Sequence, residues 1–343
     1  MSKNSQITLD DIAGKLNVSK VTVSKALRDH PDIGAKTKAL VKKTAKELGY
    51  SPNYIARNLS AKKTYTVGLV VPKIAHNFFA SAIESIYNVA YNNNYEIVVT
   101  VSQESAEKEA LHIQSLLSMR VDGLLVSVTE ETRNSEIFDK VHAMNIPLVF
   151  FDRTIENIGF SCVSTADRQG AYQLTQCAAD QGYRRIAHLA GYQHTSIGKQ
   201  RLQGYKAALK DHKIKIDKNL IIEGGFSEKD GYDGLMNLYQ KGIMPEIIFS
   251  VTFPVALGVF KAAEELGLVI PDDIDLVSFG GSSYNRFIKP SITYVDQPAR
   301  EIGEKAMDLL LYEIDHPQER GKKNIAIDSK IIQGQTCVKA SSL

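Results

Sequence analysis

The sequence is 343 residues long, with 43% hydrophobic and 23% charged residues, values typical of a globular protein with more than one domain. It has no run of about 18 apolar residues, which excludes a membrane-spanning helix, and its N-terminus, MSKNSQITLDD, lacks the apolar segment of a secretory signal. We therefore expect a cytoplasmic protein. We also expect its three cysteines, Cys162, Cys177 and Cys337, to be buried, reduced thiols that bind no metal.

Positive charge is concentrated near the N-terminus. Residues 1–63 contain 13 Lys and Arg against 5 Asp and Glu, a net charge of +8, whereas the remaining 280 residues carry 28 basic and 34 acidic side chains, a net charge of −6. A basic head on an acidic body is an electrostatic footprint for a polyanion. A solvated basic face would give the same count, so charge alone does not decide between the two.

The stretch NVSKVTVSKAL at 17–27 is rich in β-branched residues typical of a strand, yet its apolar spacing favours a helix. In a helix, Val23, Ala26 and Leu27 share one face, whereas a strand would mix lysine with apolar residues on one face. A helix also lets the Ser19 hydroxyl accept a hydrogen bond from the Thr22 backbone N–H as an N-cap.

A first helix is expected just upstream, capped by Thr8, with Asp10 and Asp11 in its first turn, where the helix dipole favours acidic side chains. The turn at 17–19 requires a left-handed residue, and Asn17 tolerates that conformation better than most non-glycine residues. These two short helices predict a helix-turn-helix. Combined with the +8 charge, this motif makes DNA the expected partner.

A third helix is predicted over about 35–48, ended by Gly49. The segment YSPNYIARNLSAKK at 50–63 follows, and Pro52 can start a helix there. That helix would be only about two turns long, too short to be stable in water without support. The segment therefore looks like a conditional linker helix.

From Thr66 onward, apolar strands alternate with helices. Runs of strand length occur at 66–71, 95–101, 122–128, 146–151, 185–190, 246–250 and 275–280, with helical stretches at about 78–92 and 105–119 between the first of them. Strands this apolar are buried on both faces, which predicts parallel sheets covered by helices. So many units exceed one doubly wound domain, and we expect two lobes with a small-molecule cleft between them.

The order of these parts resembles the lactose-repressor (LacI/GalR) family of bacterial transcription regulators. The head is carried by TLDDIAGKLNVSKVTVSKAL and YSPNYIARNLSAKK, and the body by VDGLL, FFDR, RLQGY, ALGVFKAAEELGLVIPDDIDLVSF and PSITYVDQP. The resemblance implies an all-α helix-turn-helix head and a two-lobed α/β core like that of periplasmic binding proteins, each lobe a doubly wound, mostly parallel sheet. It further implies a homodimeric regulator, most often a repressor of carbohydrate metabolism, that binds a near-palindromic operator and responds to an effector, expected to be a sugar or sugar derivative.

The resemblance divides the chain into four parts. The expected ranges are 1–50 for the DNA-binding domain, 51–63 for the hinge helix and linker, 64–165 plus about 293–322 for the N-terminal lobe, and 166–292 plus about 323–343 for the C-terminal lobe. The chain ends IIQGQTCVKASSL, without the leucine heptads of tetrameric relatives, so a dimer is expected.

The resemblance places the second helix in the major groove. Lys20 and Lys25 match base-reading positions and can donate to guanine O6 and N7, while Val21 can offer apolar contact to a thymine methyl group. The two lysines could instead contact only phosphate, which positions a protein without reading sequence. In the hinge, Leu59 matches a leucine wedge that kinks DNA from the minor groove, and Ala56 is small enough for two hinge helices to approach. Thr8, Ser19, Thr22, Ser24, Asn53 and Ser60 complete the expected DNA-binding set.

The effector cleft is expected at positions matching the family site, namely Phe78, Phe79, Ser127, Asp152, Arg153, Arg201, Phe226, Phe253 and Gly280. Two of these depart from the family pattern, because Phe253 and Gly280 stand where relatives usually carry an acidic acceptor for ligand hydroxyls. We therefore expect a ligand with an anionic or carbonyl group for Arg201 and a flat face for the aromatic rings. A cleft that has lost ligand binding remains an alternative.

Other classes of function fit less well. The sequence contains no P-loop, G-x-G-x-x-G, G-x-S-x-G, H-E-x-x-H or paired-cysteine motif, so neither an enzyme nor a cofactor is expected. A periplasmic solute-binding protein would share the core but not the basic head. A regulator controlled by a protein partner instead of a small ligand also remains open.

Overall fold

The computed structural model describes residues 7–50, 63–318, 320 and 323–338. The chain forms two compact units, which divide between Thr64 and Tyr65. The hinge residues expected to contact DNA, Asn53, Ala56, Leu59 and Ser60, lie outside the described residues. No helix in the described ranges is long and apolar enough to cross a membrane.

The first unit contains three helices, α1 (Leu9–Leu16), α2 (Lys20–Leu27) and α3 (Ala35–Leu48). The predicted turn is confirmed, because Asn17 ends α1 in the left-handed conformation at φ 51° and Ser19 caps α2 by accepting from the Thr22 N–H at 3.0 Å. Gly49 ends α3, also left-handed, at φ 68°. The helical reading of 17–27 is thus confirmed over the strand reading.

A small apolar core holds these three helices together. Val23 and Ala26 of α2 are fully buried against Ile12 of α1 and Val41 of α3. Because α2 has only two turns and contains β-branched residues, its own helix propensity is low. Burial of Val23 and Ala26 is therefore what stabilises it. The opposite face of α2 remains in solvent.

The second unit contains two six-stranded sheets. The first has the strand order β11-β5-β4-β3-β1-β2 and all its pairs are parallel. The second has the order β12-β10-β9-β8-β6-β7 and is parallel except for the antiparallel pair of β10 with β12. The strands are β1 (Thr66–Val71), β2 (Glu96–Val101), β3 (Gly123–Val126), β4 (Leu148–Phe151), β5 (Ser161–Thr165), β6 (Ile186–Leu189), β7 (Ile221–Ile222), β8 (Ile247–Ser250), β9 (Asp275–Phe279), β10 (Thr293–Asp296), β11 (Asn324–Ile327) and β12 (Lys330–Ile332).

Helices cover both faces of each sheet, as the buried apolar strands predict. They are α4 (Asn77–Asn92), α5 (Ala106–Ser118), α6 (Glu136–Ala143), α7 (Asp167–Asp180), α8 (Ser196–Asp211), α9 (Glu228–Gln240), α10 (Phe253–Leu266) and α11 (Ala299–Asp315). Separate apolar clusters line the faces of the two sheets. The fold is therefore the expected helical head and two-lobed α/β core.

The last part of the chain divides between the lobes differently from the expected ranges. Strand β10, at 293–296, was expected in the N-terminal lobe but pairs with β9 in the second sheet, and β11, at 324–327, was expected in the C-terminal lobe but pairs with β5 in the first. The chain thus crosses between lobes after β5, β10 and β11. These short strands are assigned by hydrogen bonds to distant partners, which local hydrophobic pattern does not report.

The cysteine expectation holds for two residues of three. Cys162 and Cys337 are buried, whereas Cys177 on α7 is only partly buried. All three are free thiols.

Helices α9 and α10 cross at two glycines. A Cβ atom on Gly231 would lie 1.9 Å from the Val255 carbonyl oxygen, and one on Gly258 would lie 1.9 Å from the Glu228 carbonyl oxygen. Both obstacles are backbone atoms, which cannot move aside as a side chain can. The close crossing therefore requires glycine on both helices.

We predict that Gly231→Ala lowers the free energy of unfolding by about 1–3 kcal/mol or more, because the helices must separate to admit the methyl group. Urea unfolding followed by far-UV circular dichroism measures this change. Gly224→Ala is the matched control. A Cβ atom on Gly224 would lie 3.6 Å from its nearest neighbour, Oδ1 of Asp230, which is an ordinary van der Waals contact. Equal stability of the two variants would contradict the tight crossing.

Candidate nucleic-acid interface and ligand cleft

The solvent face of α2 carries the residues expected to read bases. Val21 is 63% exposed, which is unusual for an apolar β-branched side chain on so small a domain. Lys20 is exposed beside it, and Ser24 and Lys25 are half-buried one turn further on. The buried positions Val23 and Ala26 fix the opposite side of the helix, so this face is held outward.

Each of the two lysines is paired with a carboxylate of the same unit. Lys20 Nζ lies 2.7 Å from Asp10 Oδ2, and Lys25 Nζ lies 2.8 Å from Asp32 Oδ2. The Lys25 ammonium holds the pKa of Asp32 below its usual range. Both pairs are largely exposed, and exposed pairs contribute only about 0–1 kcal/mol, so a phosphate or a base edge can displace the carboxylates easily.

The hydroxyl residues of the head act first as helix caps. Thr8 forms a capping box with Asp11, donating its backbone N–H to that carboxylate at 2.7 Å. The hydroxyl groups of Ser19 and Thr22 hydrogen-bond each other at 2.8 Å. Since both lie at the start of α2, they stand where the helix dipole also favours an anion such as phosphate.

In the second unit, a cavity of about 250 Å³ lies between the lobes. Six of the nine expected effector residues line it: Phe78, Phe79, Asp152, Arg153, Arg201 and Phe226. The further lining residues are Lys73, Ala75, His76, Glu104, Ile197, Ser227, Glu228, Thr252, Pro254 and Gln297. Most follow the carboxyl ends of parallel strands, where two-lobed α/β proteins bind ligands.

Arg201, on α8, is the most enclosed charged group of the cleft, with only 1% of its surface exposed. Its Nε donates to Asp167 Oδ1 at 2.8 Å, Nη2 lies 2.8 Å from the same oxygen, and Nη1 donates to the Val251 carbonyl at 2.6 Å. Its guanidinium carbon lies 3.8 Å from the centre of the Phe279 ring. Burial raises the pKa of Asp167, and the charge and hydrogen bond of Arg201 counteract part of this rise.

Asp152 and Arg153 follow β4 and enter the cleft from the N-terminal lobe. Arg153 Nη1 donates to both oxygens of Glu104, at 2.9 and 3.1 Å. Asp152 is differently placed: within the described ranges its carboxylate accepts no hydrogen bond, and its nearest cationic atom, Arg153 Nε, is 3.9 Å away. Burial raises the pKa of Asp152 to about 6, so this carboxylate is the least satisfied acceptor on the cavity wall.

An aromatic wall completes the cavity. Phe78 and Phe79, in the first turn of α4, pack edge to face with ring centres 5.3 Å apart. His76 lies against Phe79, and burial lowers the pKa of His76 to about 4, so its imidazole is neutral at pH 7. Among the described residues, no partner reaches His76 Nδ1 or Arg153 Nε. Both are buried polar atoms of residues that line the cavity.

Three expected effector residues are not on the cavity wall. Phe253, the first residue of α10, packs into the apolar core of the C-terminal lobe. Gly280 has φ 81°, and a Cβ atom there would lie 2.8 Å from Gln297 Oε1, so the glycine makes room for a cavity-lining amide. Ser127 is fully buried after β3, and no partner for its hydroxyl is found in the described part of the chain.

The lobes touch through polar contacts at the cleft. The Thr154 backbone N–H donates to Ser196 Oγ at 3.2 Å, and Lys199 Nζ lies 2.8 Å from Glu156 Oε2. His194 Nε2 lies 2.6 Å from the Glu130 carbonyl oxygen, and the Arg153 guanidinium lies 5.0 Å from the Phe226 ring centre. These contacts join the two lobes beside the cleft.

Sequence analysis missed Glu104, Lys73, His76 and Gln297. Glu104 supplies the carboxylate beside the cavity and comes from the loop after β2, where no family motif directed attention to it. A usable signal was available for three of them, because Lys73, His76 and Glu104 each lie within a few positions after a predicted strand, whereas Gln297 follows β10, which was not predicted. The carboxyl ends of parallel strands meet at one edge of a sheet.

Comparison with known proteins follows the division into two units. Residues 8–53 match the family of bacterial regulatory proteins of the lacI type, and residues 64–335 match the periplasmic binding proteins and sugar binding domain of the LacI family. The chain superimposes on the lac repressor dimer bound to operator and the anti-inducer ONPF with a TM-score of 0.86, covering 97% of this chain and 100% of that one at 24% identity. This likeness shows the fold.

Full-length relatives are regulators. The chain is 30% identical over 308 residues to catabolite control protein A of Priestia megaterium, covering 89% of this chain and 91% of that protein. It is also 30% identical over 329 residues to the HTH-type transcriptional repressor PurR of Edwardsiella ictaluri, covering 95% of each. The ribose operon repressor of Haemophilus influenzae is 28% identical over 312 residues, covering 91% of this chain and 93% of that protein. The chain therefore belongs to the LacI family, as a DNA-binding transcriptional regulator with an effector-binding domain.

Proposed function

We propose that this regulator binds a near-palindromic operator as a homodimer and represses transcription there. Its affinity for DNA falls or rises when a small neutral ligand occupies the cleft. The observation that carries the ligand part is the interlobe cavity, which is lined by aromatic rings and by a buried carboxylate without a hydrogen bond. The DNA part rests on the outward face of α2 and the basic head.

For DNA, α2 would enter the major groove with Lys20, Val21 and Lys25 towards the base edges. The exposed Val21 supports direct apolar contact, since solvent exposure of this side chain has no structural benefit within the head. Asp10 and Asp32 hold the two lysines in the absence of DNA. Exchange of these carboxylates for DNA acceptors keeps each ammonium paired throughout binding.

For the ligand, the charges of the cleft favour a neutral molecule over a phosphorylated one. Arg153 and Lys73 share Glu104, at 2.9 and 3.7 Å, and Arg201 is held by Asp167. Asp152, near Arg153, is the third carboxylate, so these three cations are matched in number by three carboxylates and leave no surplus positive charge for a phosphate group. This revises the expectation of an anionic group for Arg201.

The size and surface of the cavity narrow the ligand further. A volume of about 250 Å³ lies below the usual range of roughly 300–1,000 Å³ for drug-sized ligands. A monosaccharide or a single heterocyclic base would fit this space, with donors for Asp152 and a flat face for Phe78, Phe79 or Phe226. Relatives named as a ribose operon repressor and as PurR support screening both classes.

We predict that Asp10→Asn tightens DNA binding roughly 1.5- to 5-fold at low salt, because it frees Lys20 from an exposed ion pair. Fluorescence anisotropy with an operator selected from genomic fragments measures the effect. Glu47→Gln is the matched control. It removes the same charge from a carboxylate on α3 that pairs with Lys15 of α1 and Lys43 of α3. An equal gain in the control would contradict a specific role for Lys20.

The same titration repeated at increasing salt tests the phosphate interface. The logarithm of the affinity should fall linearly and steeply with the logarithm of salt concentration, because bound phosphates release counterions. A chain of residues 64–343 should lose the binding. A flat salt dependence would contradict a phosphate-dominated interface.

We predict two effects of Asp152→Asn. A thermal-shift screen of monosaccharides, sugar phosphates, nucleosides and free bases first identifies a ligand, and calorimetry should then show roughly 10- to 150-fold weaker binding to the variant, the loss of a charged hydrogen bond. The variant avoids Arg201→Ala, which would leave the buried Asp167 unpaired and risk unfolding. Asp139→Asn, on the exposed side of α6 in the same lobe and not on the cavity wall, serves as the matched control and should bind normally.

The second effect is on stability. The pKa of Asp152 is about 6 in the folded chain and about 3.9 when unfolded, so wild-type stability falls as pH rises through this interval and the deficit is complete above pH 6. Asp152→Asn should therefore be about 1–3 kcal/mol more stable than wild type at pH 7 and equal to it below about pH 4.

In the binding experiment, an unchanged ligand affinity of Asp152→Asn would contradict the role of Asp152. Failure of every compound in the screen would favour control by a protein partner.

A further inference from the structure

Two of the three cysteines lie together although 160 positions separate them in the sequence. Cys177, on α7, and Cys337, beyond β12, have their Sγ atoms 3.9 Å apart. Cys162 belongs to the other lobe, on β5. A disulfide bond is about 2.05 Å long, so the sulfurs need to approach by less than 2 Å to form one, a distance within the reach of side-chain rotation and small helix movement.

Cys337 is fixed by its backbone. Its N–H lies 2.9 and 3.0 Å from the two carboxylate oxygens of Asp275, and the next residue, Val338, donates to the same carboxylate at 3.3 Å. Just upstream, Thr336 accepts two hydrogen bonds from Thr293, one from its backbone N–H at 2.8 Å and one from its hydroxyl at 2.6 Å. The tail therefore holds the Cys337 thiol against α7 in a defined position.

The two thiols differ in environment. Cys177 is partly exposed near the end of α7, whereas Cys337 is fully buried in the apolar core beneath it. A hydrogen bond from the Cys337 thiol lowers the pKa of Cys177 to about 7, and the same contact, together with burial, raises the pKa of Cys337. At neutral pH the accessible sulfur is therefore the nucleophile and the buried one remains a thiol.

We propose that Cys177 and Cys337 form a reversible disulfide, with Cys177 as the attacking sulfur and Cys337 as the resolving one. With a hydroperoxide as oxidant, the Cys177 thiolate attacks the peroxide O–O bond, takes one oxygen as a sulfenic acid and releases the other as hydroxide or alkoxide. The Cys337 sulfur then attacks the Cys177 sulfur and loses its proton, the S–O bond of the sulfenic acid breaks, and the oxygen that Cys177 had taken leaves as water. Two electrons pass from the two thiols to the peroxide, and a dithiol reverses the change.

The disulfide would join α7 to the C-terminal tail, and both segments contact elements that form the ligand cleft. Helix α7 begins at Asp167, which holds Arg201, and the tail is bonded to β10, which leads directly to Gln297 on the cavity wall. Oxidation therefore fastens α7 to the strand edge behind the cleft. The proposal concerns the effector-binding unit alone and holds whether or not the proposed DNA contacts are correct.

The test uses the full-length reduced chain, treated with a slight excess of hydrogen peroxide at pH 7.5. Non-reducing peptide mapping by mass spectrometry should find one intramolecular Cys177–Cys337 link and a free Cys162. The oxidised chain should melt at a higher temperature than the reduced chain, because the link closes a long loop and restricts the unfolded state, and dithiothreitol should restore the original melting temperature.

Three variants separate the roles. Cys177→Ser should not form the link with peroxide, and Cys337→Ala should stop at a sulfenic acid that dimedone traps on Cys177. Cys162→Ala, the matched control, should oxidise like wild type. The rate of Cys177 alkylation by iodoacetamide should rise with a midpoint near pH 7 in wild type and move towards about 8.5, the ordinary thiol value, in Cys337→Ala, which removes the hydrogen-bond donor.

Three results would overturn the proposal. They are persistence of three free thiols in the peroxide-treated folded chain, a disulfide that links only separate chains, or an alkylation midpoint that does not move in Cys337→Ala.

Discussion

The buried ion pair of Arg201 with Asp167 is the interaction on which the effector-binding unit depends. The guanidinium is almost completely enclosed, and it is held by a carboxylate at the start of α7, a carbonyl after β8 and the face of the Phe279 ring on β9. It thereby joins the first crossover between the lobes to the centre of the second sheet. Since each charge is costly to bury alone, the two residues require each other, and removing one leaves the other unpaired in the core.

This arrangement changes how the cleft can recognise a ligand. Each of the three guanidinium nitrogens of Arg201 contacts a protein acceptor, Asp167 or the Val251 carbonyl, so in the proposed function Arg201 serves first to shape the cavity. In the proposed function, the ligand is recognised instead by Asp152, whose carboxylate is buried with no hydrogen bond in the described residues, and by the neutral His76 beside the phenylalanines. Neither Phe253 nor Gly280 lines the cavity, whereas Glu104 and Asp152 bring carboxylates to it from the opposite lobe.

The two units use charge in different ways. In the head, the ion pairs of Lys20 and Lys25 are exposed and weak, so they can be exchanged for DNA contacts at little cost. In the cleft, the pairs of Arg153 and Arg201 are enclosed and fix the positions of the side chains around the cavity. An ion pair between a basic side chain and a carboxylate is therefore a replaceable contact at the surface and a permanent structural element in the walls of the cleft. The difference arises because the surrounding dielectric differs.

The sequence by itself determined the elements whose causes are local. The cap at Ser19, the left-handed turn at Asn17, the end of α3 at Gly49 and the apolar strands from Thr66 onward all depend on neighbouring residues, and each is found as expected. Tertiary structure alone decided which lobe receives β10 and β11, that Phe253 enters the core, and that Glu104 joins the cavity. Those outcomes depend on hydrogen bonds and packing between residues far apart in the chain, and the pairing of Cys177 with Cys337 across 160 positions has the same origin. Local pattern carries no information about such partners, because folding selects them by how the completed sheets and helices fit together.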